Sequence, residues 1–120
     1  MPTIAVILIA LVAAEHLYFL YLEMFAWTAN STRRSFGTTA EFAEASKSLA
    51  ANQGLYNGFL AAGLIWSILH PDPVIGRQIA LFFLACVLVA AAYGGWSVKR
   101  SIMLIQGLPA LLALLALLLL

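Results

Sequence analysis

Of 120 residues, 64% are apolar and 9% charged, with a formal net charge of +1 and a mean hydropathy of +1.01. Such a chain lacks the polar surface of a water-soluble domain and the clustered basic face that nucleic acid requires; its expected partner is the lipid bilayer, and nucleic acid is excluded. Cys86 is the one cysteine, which rules out an intrachain disulfide and any thiol pair for a redox centre.

A helix crosses a bilayer with roughly 20 apolar residues, and four stretches fit, at 3–28, 48–69, 73–98 and 101–120. The expected architecture is therefore all-α: one integral membrane domain over 1–120, built as a four-helix bundle with a short interfacial helix between helices one and two. The first stretch reads as a mature helix rather than a secretory signal. No basic region precedes it, and apolar sequence resumes after Glu15 and His16 as far as Trp27.

The first connection, 30–47, is the one long loop and carries Arg33, Arg34, Glu41, Glu44 and Lys47. Thr38 with Glu41 fits a capping box, and Phe42, Ala45 and Leu49 fall on one helical face leading into the second span. His70-Pro71-Asp72-Pro73 must interrupt the helix, with Asp72 capping a third span that starts at Pro73. Lys99 and Arg100 mark a sharp third turn, and Leu111 to Leu120 reads as a lipid-facing anchor. Arg33, Arg34, Lys47, Lys99 and Arg100 sit on one side and Arg77 on the other. The positive-inside rule puts loops one and three in the cytoplasm and both termini outside.

Ionisable groups inside a span are costly and normally face a bundle interior or a wet cavity. Helix one carries Glu15, His16 and Glu23. The last two, seven residues apart, lie within about 20° of one face, with Trp27 on the same stripe and Glu15 about a quarter turn away. Helix two opens with Asn52-Gln53-Gly54-Leu55-Tyr56-Asn57-Gly58, in which Gln53 and Asn57 share one face, Asn52 and Tyr56 the adjacent row, and Gly54 and Gly58 admit a close neighbour. Counting inward from the cytoplasmic ends places Glu23, Asn52, Gln53, Tyr93 and Gln106 in one layer, Asn57 a turn deeper, and Glu15 and His16 near the midplane. These groups would line a cleft open to the cytoplasm. Glu15, His16, Glu23, Asn52, Gln53 and Asn57 are the candidates for ligand binding or proton exchange, with Tyr56, Tyr93 and Gln106 in support. No metal or cofactor is expected, because one intramembrane histidine without an i, i+4 partner falls short of a zinc pattern.

At Glu15-His16-Leu17-Tyr18-Phe19-Leu20-Tyr21-Leu22-Glu23-Met24-Phe25-Ala26-Trp27, then Asn52 to Gly63, Tyr93-Gly94 and Gln106-Gly107-Leu108-Pro109-Ala110, the chain resembles domain-of-unknown-function family 1304, small bacterial integral membrane proteins. The resemblance implies a four-helix topology in the bacterial cytoplasmic (inner) membrane and no established reaction. Function then rests on the residues. The first expectation is binding or transport of a small amphipathic, lipophilic or cationic molecule through the cleft, with a second copy of the chain meeting the Gly and Ala faces. One alternative is an isomerase-like membrane enzyme using Glu15, Glu23 and His16 as acid and base on a lipophilic substrate. The other is a structural or accessory protein whose polar layer fixes helix packing. No residue is assigned a catalytic role.

Overall fold

The computed structural model describes residues 1–120 as five helices without a strand: α1 (Thr3–Phe25), α2 (Asn30–Phe36), α3 (Ala40–Leu69), α4 (Pro73–Ser97) and α5 (Arg100–Leu119). Three of them, α1, α4 and α5, are long and apolar enough to cross a membrane. At 30 residues α3 has the length, but Asn52, Gln53 and Asn57 dilute its hydropathy, so composition alone supports three spans where the sequence pattern suggested four. The predicted second span is the later part of this longer helix, which begins at Ala40 rather than at 48.

The chain divides into two compact units. The first comprises Met1–Glu15 and Leu60–Leu120. Its buried core draws Ala5, Ile9, Val12 and Ala13 from α1, Leu64 from α3, Ala80, Leu84 and Val87 from α4, and Ala110, Ala113, Ala116 and Leu117 from α5. In lipid no hydrophobic force drives helices together, so association depends on close van der Waals contact across small residues. The buried seam of α4, Gly76, Ala80, Leu84, Val87, Ala91 and Gly95, follows that rule. So does α5, which buries Gly107, Ala110, Ala113 and Ala116. A Cβ added at Gly107 would lie 3.2 Å from the Cβ of Ala91, and one at Gly95 2.6 Å from that of Met103, so α4 and α5 form a tight antiparallel hairpin. The Leu-rich end of α5 is thus not wholly lipid-facing: Ala113, Ala116 and Leu117 belong to the core. At its C-terminus the Leu117 carbonyl accepts a hydrogen bond from Arg77 Nη2 at 3.2 Å, a cation placed against the negative end of the helix dipole.

The turn between α3 and α4 bears out the predicted cap. Asp72 Oδ1 accepts from the N–H groups of Val74 (2.9 Å) and Ile75 (3.3 Å), with Pro73 at the first helical position. Asp72→Ala is therefore expected to lower stability by about 1 kcal/mol, the usual worth of an N-cap, measured by denaturant titration in micelles, while Asp72→Asn stays close to the wild type.

The second unit, His16–Phe59, contains the later part of α1, all of α2 and the earlier part of α3. Gly37, at φ 69°, ends α2 in the left-handed conformation, and the N–H groups of Gly37 and Thr38 both donate to the Arg33 carbonyl. The start of α3 corrects the sequence reading by one residue. Thr39, not Thr38, is the cap, accepting from the Phe42 N–H at 3.1 Å, which moves Glu41 out of the capping-box position. The buried face differs too. Ala43, Ala50 and Gly54 point inward, whereas Phe42 is 57% and Leu49 77% exposed. Small residues take the helix contact and the bulky apolar ones face outward, the reverse of a water-soluble helix.

Candidate ligand-binding site

Within the second unit α1 and α3 run antiparallel, and Gly54 sets their approach. A Cβ there would lie 2.8 Å from Met24 Cγ, 3.0 Å from Glu23 Cβ and 3.3 Å from the Leu20 carbonyl oxygen. Gln53 and Asn57, one turn apart, flank this contact and reach the same carboxylate. Gln53 Nε2 donates to Glu23 Oε2, and Asn57 Nδ2 donates to Glu23 Oε1 at 2.5 Å. An ionised carboxylate only accepts, so both amides must turn their NH2 groups toward it. Glu23 is 3% exposed. The amide oxygens accept no hydrogen bond from the protein, so with Glu23 they form a cluster rich in acceptors and spare in donors.

Glu23 also lines an open cleft of about 290 Å³, together with Met24, Phe25, Trp27, Thr28, Lys47, Ser48 and Ala51. Trp27 Nε1 donates to Ser46 Oγ at 3.0 Å, and that hydroxyl donates to the Phe42 carbonyl at 2.6 Å. The indole rests edge-to-face on Phe36, ring centroids 5.0 Å apart. Trp27 is thereby fixed by one polar and one aromatic contact. Lys47, the only cation lining the cleft, is engaged by Glu44 at 2.5 Å.

The other candidates are distributed differently. His16 is fully buried, with its ring edge-to-face on Phe19 at 5.4 Å, and it does not line the cleft. Asn52 is exposed and makes no side-chain hydrogen bond; Tyr56 is 57% exposed and packs on Phe59. Glu15, Tyr93 and Gln106 belong to the first unit. Glu15 Oε1 there is buried without a hydrogen-bond partner, Tyr93 is 73% exposed and Gln106 is half-buried. The sequence reading missed Thr28, Lys47, Ser48 and Ala51, because it sought the site among ionisable and amide groups inside the spans, and these four stand at or near the span ends. The spacing of three and four, Lys47 to Ala51 and Ser48 to Ala51, is the signal that places the last three on one face of α3.

A family model described as protein of unknown function (DUF1304) matches residues 10–118. The chain belongs to the DUF1304 family. Among similar proteins is the uncharacterized protein YpaA of Lactococcus lactis subsp. lactis (strain IL1403), 36% identical over 118 residues, which are 97% of this chain and 98% of the relative. No solved structure matches. The DUF1304 match runs through Glu23, Gln53, Asn57 and the whole cleft lining, so the site lies inside the family region.

Proposed function

We propose that this DUF1304 protein is a four-helix membrane bundle that binds, and in doing so serves to transport, a small amphipathic cation at Glu23. In this reading α3 is the fourth span. At about 1.5 Å per residue its 30 residues reach about 45 Å, more than a hydrocarbon core requires. Two of the three amides that lower its hydropathy are hydrogen-bonded to Glu23 of α1, a helix of membrane-spanning length, which lowers the cost of placing them in a span. Both termini then lie outside, α2 is the interfacial helix, and loops one and three, with five of the six Lys and Arg residues, are in the cytoplasm of a bacterial inner membrane.

The observation that carries the ligand reading is the buried Glu23 carboxylate beside Trp27 and Phe25 in one cleft. A carboxylate pairs with a cationic head, amide oxygens accept from its N–H groups, and aromatic faces attract it further. The acid and base alternative would need His16 at the same cleft, which it does not line. The test uses protein in phosphatidylcholine nanodiscs and a lipophilic quaternary ammonium probe, with its neutral isostere as control. Glu23→Gln, which keeps the shape of the side chain, is expected to weaken binding of the cation about tenfold or more and leave the neutral isostere unaffected. Equal affinity of variant and wild type for the cation would remove the proposal.

A further inference from the structure

A second concavity, of about 530 Å³, is lined by Asn30, Arg33, Arg34, Gly37 and Thr38 at the end of α2. No carboxylate lines it, and the ion pair of the chain is Lys47 with Glu44, so neither guanidinium is neutralised. Arg33 is held in place: its Nε donates to the Thr28 carbonyl at 3.2 Å and its Nη2 to Asn30 Oδ1. Two of its five N–H donors are thereby used to fix the plane of the group, and three remain. Arg34 is exposed, and its side chain makes no hydrogen bond within the chain. Gly37 leaves the wall open, with nothing within 4 Å of where its Cβ would stand, and Thr38 lines the same concavity. One fixed guanidinium and one free guanidinium beside a space large enough for a tetrahedral anion constitute a phosphate-binding arrangement.

We propose that this concavity binds a phosphate group, supplied by the headgroup of an anionic phospholipid. The phospholipid source follows from the neighbours. Trp27 and Phe36, in edge-to-face contact across α2, are the aromatic pair expected at a membrane surface, and Phe25, 74% exposed, ends the apolar run of α1 just before Trp27. This source rests on the membrane reading above, whereas the phosphate chemistry rests on the arginines alone. The site shares no lining residue with the Glu23 cleft, so the two proposals stand or fall on separate variants.

Native mass spectrometry of the purified full-length protein, equilibrated with mixed phosphatidylglycerol and phosphatidylcholine, reads the selectivity directly. The wild type should retain phosphatidylglycerol preferentially, and Arg34→Gln should reduce that retention about fivefold, the effect of one positive charge near an anionic headgroup. Because the Arg34 side chain makes no bond within the chain, its replacement leaves folding intact, and circular dichroism verifies that. Arg100→Gln, on the same predicted side but outside the concavity, should retain the lipid like the wild type. An equal loss in Arg100→Gln would mean a diffuse basic surface and would overturn the site. Undiminished retention in both Arg34→Gln and Arg33→Gln/Arg34→Gln, as expected if these arginines only complement the dipole of α2, would overturn it as well. In a second arm, inorganic phosphate is added to protein in phosphatidylcholine alone. Thermal stabilisation of the wild type but not of Arg34→Gln, without phosphatidylglycerol selectivity, would support the phosphate site and assign it to a free anion.

Discussion

Removing both amides from Glu23, as Gln53→Ala/Asn57→Ala, is expected to destabilise the protein by about 3 kcal/mol, and replacing all three residues by Leu to bring stability back to within about 1 kcal/mol of the wild type. The ordering follows from an asymmetry in polar burial. A carboxyl group that is 3% exposed has little access to water, so taking away Gln53 Nε2 and Asn57 Nδ2 leaves it buried without either of its hydrogen-bond donors. Glu23→Ala alone leaves two neutral amides instead. Gln53 is exposed and finds solvent or headgroups, Asn57 is half-buried, and the cost falls between the other two. Unfolding titrations in mixed micelles give the three values on one scale. If the double variant proved no less stable than Glu23→Ala, Glu23 would not be the stranded group and its part as the organising charge would fail. A triple Leu variant that folds but no longer binds the ammonium probe would separate the two demands on this cluster. It would show that packing does not need the three polar residues and that ligand recognition does.

The legible part of this site is the part written as periodicity. Gln53 and Asn57 follow at a spacing of four on α3, so that pair could be placed on one helix face from sequence, whereas Trp27, read on the stripe of Glu23, lies in the turn beyond the end of α1 at Phe25. What spacing could not supply is the rotation of one helix against the other. Glu15 and His16 looked as eligible as Glu23, yet the amides meet Glu23, because Gly54 admits α1 at Leu20, Glu23 and Met24. Asn52 looked as eligible as Gln53 and points away, since one residue along a helix is about 100° of rotation. The beginning of α3 was legible to within one residue, and what escaped was its cap and its buried face. Thr38 and Glu41 announce a helix there, but Thr39 is the cap, and the face turned inward is marked by Ala43, an alanine that hydropathy does not distinguish from its neighbours. In α5 the low-complexity Leu and Ala run concealed a regular inward stripe, Ala110, Ala113 and Ala116, which matters through its small size rather than its hydrophobicity.

If Gly54 sets the distance between α1 and α3, Gly54→Ala should be far more damaging than the identical change at Gly58, although the two glycines are one turn apart on one helix. At Gly58 the added methyl meets the Leu20 side-chain tip, 2.6 Å from Cδ1, with the next atom at 3.9 Å. A leucine tip rotates away at little cost, and the higher helix propensity of alanine offsets much of it, so Gly58→Ala is expected within about 1 kcal/mol of the wild type. At Gly54 the methyl meets Glu23 Cβ at 3.0 Å and the Leu20 carbonyl oxygen at 3.3 Å, atoms that move only with the backbone of α1, as well as Met24 Cγ at 2.8 Å. The helices must separate, at about 2–3 kcal/mol for overpacking. A separation of even half an ångström lengthens both hydrogen bonds to Glu23, so Gly54→Ala should also weaken binding of the ammonium probe, a loss that Gly58→Ala does not share. Thermal unfolding and probe affinity, measured on both variants in the same nanodiscs, decide the matter. Equal effects of the two substitutions would mean that α1 and α3 are spaced by something other than this glycine, and that the carboxylate clamp owes its geometry to it.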